Sequence, residues 1–213
     1  MVRRANKKAK KQYIRRERKI ILIAAEGRNR TERNYFAEFN RLQNDFHIVF
    51  ADGNNTDPIK VVKDAYISSE HKGLELEQSD KSFAVIDADF GKEEQIKEAR
   101  RLAKHYQIGL LISNPCFEVW ILQHFRFSTH GYHSNTEVLE ELQNRWPNYK
   151  KSMKSFEYVL DRIEIAIENA RRLKEYHENQ NTRKLTEECN PSTDIFELAE
   201  IINPEGGGDR VNK

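Results

Sequence analysis

The sequence predicts an α/β fold: a parallel sheet of about four strands flanked by helices, followed by a helical extension. Two observations carry this expectation. Between residues 19 and 130, short apolar runs alternate with amphipathic stretches, the rhythm that builds a parallel sheet with helices on both faces. From about Ser134 onward the strand signals stop and helical periodicity takes over.

The first strand is Lys19-Ile20-Ile21-Leu22-Ile23-Ala24-Ala25, a continuous apolar run of the kind buried on both faces. Glu26-Gly27-Arg28-Asn29-Arg30 reads as a turn, and Thr31 as the cap of a helix whose apolar face is Tyr35, Phe36, Phe39 and Leu42. His47 to Ala51 is the second strand. Asp57 caps, and Pro58 opens, a helix running to about Glu70; Lys72 to Asp80 is a loop. Ser82 to Ile86 is the third strand, ending in Asp87-Ala88-Asp89, and Lys92 to Tyr106 is a charged amphipathic helix. Ile108 to Ile112 is the fourth strand, and Asn114-Pro115 leads into an unusually apolar helix, Cys116 to Phe125. Beyond it, Thr136 to Trp146 is a short helix. A stripe of Phe156, Val159, Leu160, Ile163, Ile167, Ala170 and Leu173 predicts one long helix from Ser155 to about Gln180. Thr193 caps a last helix through Ile202. The expected division is a basic tail (1–18), an α/β core (19–130), a helical extension packed on the core (131–202) and a loose end (203–213).

The net charge of +2 hides an asymmetry, because residues 1 to 19 hold ten Lys or Arg and one Glu, leaving −7 for the rest. Such a tail attracts phosphate backbones, or is simply a solvated arm. No apolar run is long enough to span a bilayer, and the run after the basic tail is too short for a signal peptide. Two cysteines, Cys116 and Cys189, offer neither a disulfide framework nor a metal motif, so the expected compartment is the cytosol. There is no P-loop, dinucleotide fingerprint or nucleophile elbow, so any ATPase activity belongs to a partner.

The acids fall where chemistry is expected. Glu26 ends the first strand, and Asp87 and Asp89 end the third; the carboxyl edge of a parallel sheet is where ligands bind. Two residues apart on extended chain, Asp87 and Asp89 point the same way. Converging carboxylates repel one another unless a cation neutralises them, and Mg²⁺ prefers hard oxygen ligands. The competing explanation is that strand-end acids cap helices or pair with lysines. Glu118 stands on the face of an apolar helix shared by Ile121, Leu122 and Phe125. It is either a further metal ligand or orienting group, or a first-turn acid that complements the helix dipole or half of a salt bridge. Glu32 has the same ambiguity. Arg28, Arg30 and Lys92 flank the acids and are candidates for holding phosphate. His130 and His133 lack a third ligand, and His124 has no visible partner.

Glu26-Gly27 followed by Thr31-Glu32, then Val85-Ile86-Asp87-Ala88-Asp89, resembles the Toprim signature of topoisomerases, primases and OLD-type nucleases. The chain is more specifically similar to the RloB family of bacterial defence-associated proteins. Its blocks are Glu26-Gly27 with Thr31-Glu32 and Tyr35-Phe36, then Ser113-Asn114-Pro115-Cys116-Phe117-Glu118-Val119-Trp120 through Phe125, and finally Asn190-Pro191-Ser192-Thr193-Asp194. The resemblance implies a Toprim/Rossmann-like fold, a divalent metal (Mg²⁺ or Mn²⁺) and a role in phage defence, and places Glu32 either behind the metal's own ligands or at a second metal. The leading expectation is a metal-dependent nuclease effector acting on DNA or RNA, with Glu26, Asp87 and Asp89 as catalytic and metal-holding groups and Glu118 as a further ligand. The alternative is a non-catalytic Toprim-fold subunit that docks on an AAA-type ATPase. A remoter one is phosphoryl or nucleotidyl transfer to a small molecule. No membrane partner is expected, and the oligomeric state is left open.

Overall fold

The computed structural model describes residues 18–27, 31–42, 45–89, 91–154, 156–182 and 189–203. The basic tail up to residue 17, and Arg28 and Arg30, therefore lie outside the described residues. The chain runs β1 (Lys19–Ala25), α1 (Thr31–Ala37) continued by a 3-10 turn, β2 (Phe46–Phe50), α2 (Pro58–Lys72), β3 (Lys81–Asp87), α3 (Glu93–His105) and β4 (Gly109–Asn114). Then come α4 (Glu118–Gln123), α5 (Asn135–Arg145), α6 (Glu157–Leu160), α7 (Ile163–Asn179), β5 (Ser192–Thr193) and α8 (Ile195–Ile202).

The sheet order is β2-β1-β3-β4-β5. β1 pairs in parallel with both β2 and β3, and β3 with β4, while β5 joins β4 antiparallel. Alternation within each strand feeds two cores, as the two-residue period of a strand requires. Ile21, Ile23, Phe83, Val85 and Leu111 face α1, α4 and the C-terminal helices. Leu22, Ala24, Ala84, Ile86 and Ile112 face α2 and α3. This two-sided burial is why the strands read as unbroken apolar runs. The first core is continuous through Trp120, Val138, Trp146, Tyr149, Phe156, Ile167 and Phe196, so the C-terminal helices share it with the sheet. Asn169 Nδ2 donates to the Gln123 carbonyl at 2.8 Å, and Arg171–Glu200 at 2.7 Å joins α7 to α8.

Local signals explain most element ends. The Asp57 side chain accepts from Lys60 N at 3.0 Å with Pro58 in the first turn, and α2 ends at Gly73 in the left-handed region. Ser134 caps α5 by accepting from Glu137 N. Thr193 Oγ1 accepts from Ile195 N, but the residue at the N-cap of α8 is Asp194 rather than the expected Thr193, which lies in β5.

Four other expectations need correction. The sheet has a fifth strand, Ser192–Thr193, too short to leave a periodic signal. α4 begins at Glu118 rather than Cys116, after the chain has bent at Pro115 beyond the end of β4. The predicted long helix is two: α6 and α7 are separated at Asp161 and Arg162, although the apolar stripe runs through the break. Thr31 is the first residue of α1, and its hydroxyl accepts from Ser152 N at 2.9 Å, tying a distant loop to the helix start. Among the described residues no helix is long and apolar enough to cross a membrane.

Candidate functional site

The order β2-β1-β3 reverses the direction of chain progression between β1 and β3, which opens a crevice at their carboxyl ends. Glu26 and Asp87 meet there. Ala25 is level with Val85, and the Glu26 carboxylate accepts from Asp87 N at 3.3 Å. Gly27 follows at φ +64°, a conformation glycine adopts without a Cβ penalty, and its N–H donates to the Asn55 carbonyl at 2.7 Å. The β1 and β2 loops are thereby joined directly beside Glu26.

Asp87 ends β3, and its Oδ1 accepts from Phe117 N at 2.9 Å, just ahead of α4. Asp89 is not on extended chain, as the two-residue spacing suggested, but in a turn at φ +28°. Its Oδ2 lies 2.7 Å from Lys92 Nζ and its Oδ1 accepts from Asn135 Nδ2 at 3.2 Å, at the start of α5. Glu118, 3% exposed, accepts from the Tyr149 hydroxyl at 3.0 Å and lies 3.5 Å from Lys151 Nζ. Glu32 is 6% exposed, and its Oε2 is buried with no hydrogen-bond partner.

These five carboxylates sense one another. Burial raises Asp87 well above the usual range, and Glu32, Glu118, Glu26 and Asp89 add to it in that order. Burial pushes Glu32 up to about 8, with Glu118 and Glu26 reinforcing it. Burial also lifts Glu26 to about 7, opposed by Lys92 and reinforced by Asp89. Burial alone would lower Lys92 and Lys151, but the neighbouring acids outweigh it and raise both. Burial, then Glu118 and Asp87, likewise raise the buried Cys116 thiol. One acidic centre with two lysines at its margins therefore forms from the loops after β1 and β3, the first turns of α1 and α4, and the segment after α5.

Glu26, Asp87, Asp89, Glu32, Glu118 and Lys92 are thus in one place. Arg28 and Arg30 fall outside the described residues. Lys92 ion-pairs with Glu26 and Asp89. Among the described residues, no group of three or more His, Cys, Asp or Glu side chains is arranged to hold a metal ion. Asp87 and Glu26 each accept from a backbone N–H group, and Glu118 accepts from Tyr149 with Lys151 beside it.

Sequence reasoning missed Tyr149 and Lys151. They lie in a loop that Asn34 pins from α1, its Nδ2 donating to the Met153 carbonyl at 2.8 Å. Nothing periodic marks them. They come close to the acids only once the chain is folded, so the sequence carries no signal for them. His124 is a buried core group: its ring contacts the Tyr35 hydroxyl at 3.1 Å and the Trp120 carbonyl at 3.2 Å. The Asn114-Pro115 and Asn190-Pro191 blocks, far apart in sequence, adjoin through β4 and β5, with Ser113 Oγ 2.9 Å from Thr193 Oγ1.

No curated protein and no solved structure matches the chain. A protein-family model described as RloB-like protein matches residues 21–202, and the chain belongs to that family.

Proposed function

We propose that this protein is a Toprim-type, divalent-metal-dependent phosphodiesterase, a nuclease effector of a bacterial defence system. Membership of the RloB-like family points to a defence- or restriction-associated protein. The observation that carries the chemistry is a set of five carboxylates at and behind one sheet edge, four of them acting on Asp87, and one of the five holding a buried oxygen without a partner. Burying so much like charge is costly unless protons or a cation neutralise it. The donor chemistry suits Mg²⁺ or Mn²⁺: hard carboxylate oxygens, partly open to water at Asp89. Asp87 and Asp89 would hold the cation, with Glu118 and Glu32 as further donors and Glu26 beside them. A divalent cation in such a site supplies Lewis acidity and a more acidic bound water.

The chain's own residues do the rest. Glu26, held at the crevice beside Asp87, takes a proton from the attacking water. Lys92, with Arg28 and Arg30, supplies positive charge for the phosphate. Tyr149 and Lys151 fix the Glu118 carboxylate from the far side. The basic tail adds non-specific grip on a nucleic-acid backbone. The test is calorimetric titration of the full chain with Mg²⁺ and Mn²⁺, alongside incubation with labelled DNA and RNA in either metal or chelator. Absence of metal binding, even with nucleic acid present, defeats the nuclease reading.

One observation favours a second reading, a non-catalytic subunit docking on an AAA-type ATPase. Lys92 and Lys151 already compensate part of the acidic charge, as a purely structural network would require. That reading expects neither a metal-induced rise in Tm nor cleavage under any condition.

A further inference from the structure

Lys92 stands immediately before α3 and reaches back across the sheet edge. Its Nζ lies 2.7 Å from Asp89 Oδ2, 3.5 Å from Glu26 Oε2 and 3.5 Å from the Thr56 carbonyl. One ammonium therefore touches the loops that follow β1, β2 and β3. Its side chain is 25% exposed, so it is neither locked in the core nor free in solvent. Holding a long lysine in one place costs side-chain entropy, and an isolated partly exposed pair returns little. Two carboxylates from two loops, with three more acids behind them, make the position worth holding.

The same geometry makes Lys92 a competitor. An ammonium and a divalent metal ion both seek hard oxygens, and Lys92 stands between Asp89, assigned above to the metal, and Glu26 beside it. We propose that Lys92 is a built-in counter-ion that holds the metal-free site together and must give up Glu26 and Asp89 when a divalent cation binds. This rests on the metal-site reading. Lys151 differs in pairing with Glu118, behind the edge, where Tyr149 holds the same carboxylate.

The two roles of Lys92 have opposite consequences for a charge-removing variant, which makes them separable. In the absence of metal, Lys92→Met leaves the acids uncompensated. The variant unfolds about 2–4 °C below the parent, the shift expected for one such pair in a chain of this size. With metal, the variant has no competing ammonium. It binds Mn²⁺ about fivefold more tightly, and the Tm gap closes at saturating Mn²⁺. Lys92→Arg keeps the charge and stays close to the parent in both measurements.

The experiment is Mn²⁺ calorimetry and thermal unfolding, in chelator and in saturating Mn²⁺, on the full chain and both variants. If Lys92→Met does not fold, Lys92→Gln, which keeps a donor for the Thr56 carbonyl, carries the same comparison. Should the parent bind Mn²⁺ while the charge-removing variant binds it no more tightly and keeps its Tm deficit at saturation, Lys92 is a structural tether and the proposal is overturned. Should none of the proteins bind Mn²⁺, the metal-site reading itself has failed and takes this proposal with it.

Discussion

Replacing Glu32 with Gln should stabilise the metal-free protein, and the size of the gain follows from where Glu32 sits. Its carboxyl is 6% exposed, one oxygen is buried without a partner, and burial with its acidic neighbours lifts it to about 8. The sign is fixed by linkage. A folded-state carboxyl that titrates above its unfolded value binds protons more tightly when folded, so stability is greatest at low pH. It falls as pH rises through the window from about 4.5 to about 8. At pH 7 the folded chain keeps a proton that the unfolded chain has released, a penalty of about 3 kcal/mol. Neighbour relaxation returns part of this, so the neutral Gln gains about 2 kcal/mol, or roughly 4–8 °C in Tm for this chain length. Near pH 4.5 the two proteins should be nearly equally stable, since the folded parent is protonated there and the unfolded parent is about half protonated. Thermal unfolding in chelator across this range measures the difference directly. With saturating Mn²⁺ the order should invert, because the variant has lost a donor and gains less from metal. A Gln variant less stable than the parent near pH 8 in chelator would refute the reasoning, by showing that Glu32 is ionised and well satisfied there.

Three further outcomes follow from individual contacts. Asp87→Asn keeps an acceptor for Phe117 N but loses the charge, so Tm in chelator should hold or rise while the Mn²⁺-induced rise shrinks and any metal-dependent cleavage disappears; an unchanged metal response counts against Asp87 as a ligand. Tyr149→Phe removes the donor to buried Glu118 and should cost about 1–3 kcal/mol in urea unfolding at neutral pH, whereas an unmoved midpoint would mean the bond contributes nothing. Burial holds His124 down to about 4, below its unfolded value, so its contribution is present above about pH 6.5 and is lost as pH falls through about 4. An imidazole NMR titration for His124 centred near about 6.5 would contradict that placement.

The features legible in the sequence were those with a local physical cause. β1 was readable because Ile21 and Ile23 fill one core while Leu22 and Ala24 fill the other, leaving no polar alternation to confuse the pattern. Glu26 and Asp87 were readable because each ends such a run. Asp57-Pro58 announced α2 through its cap chemistry. The failures have causes too. The stripe from Phe156 to Leu173 keeps its phase through Asp161 and Arg162, so periodicity alone conceals the break between α6 and α7. Ser192–Thr193 pairs with only Ser113 and Asn114, and a two-residue strand has no period to detect. Asp89 was expected on extended chain, yet a turn at φ +28° sends it to Lys92 and Asn135.

Tyr149 and Lys151 show most clearly why a site cannot be completed from sequence. Their value depends on Glu118, which comes from α4, and on a loop whose position is set by bonds to Thr31 and Asn34 of α1. Those bonds attach the segment after α5 to the helix carrying Glu32, the acid with the orphaned oxygen. The same segment buries Tyr149 and Phe156 in the core that holds Tyr35, Phe36 and Trp120. Packing and electrostatics are therefore coupled. The apolar cluster shields the inner acids from water and raises Asp87 and Glu32, while Lys92 and Lys151 stand at the margins where water still reaches. A fold that needed these acids only as helix caps would not enclose Glu32 and Glu118 behind aromatic side chains. On the reading proposed above, compensating charge would reach this enclosed centre from outside, and Asp89, the more open acid beside Lys92, marks the side from which it would arrive.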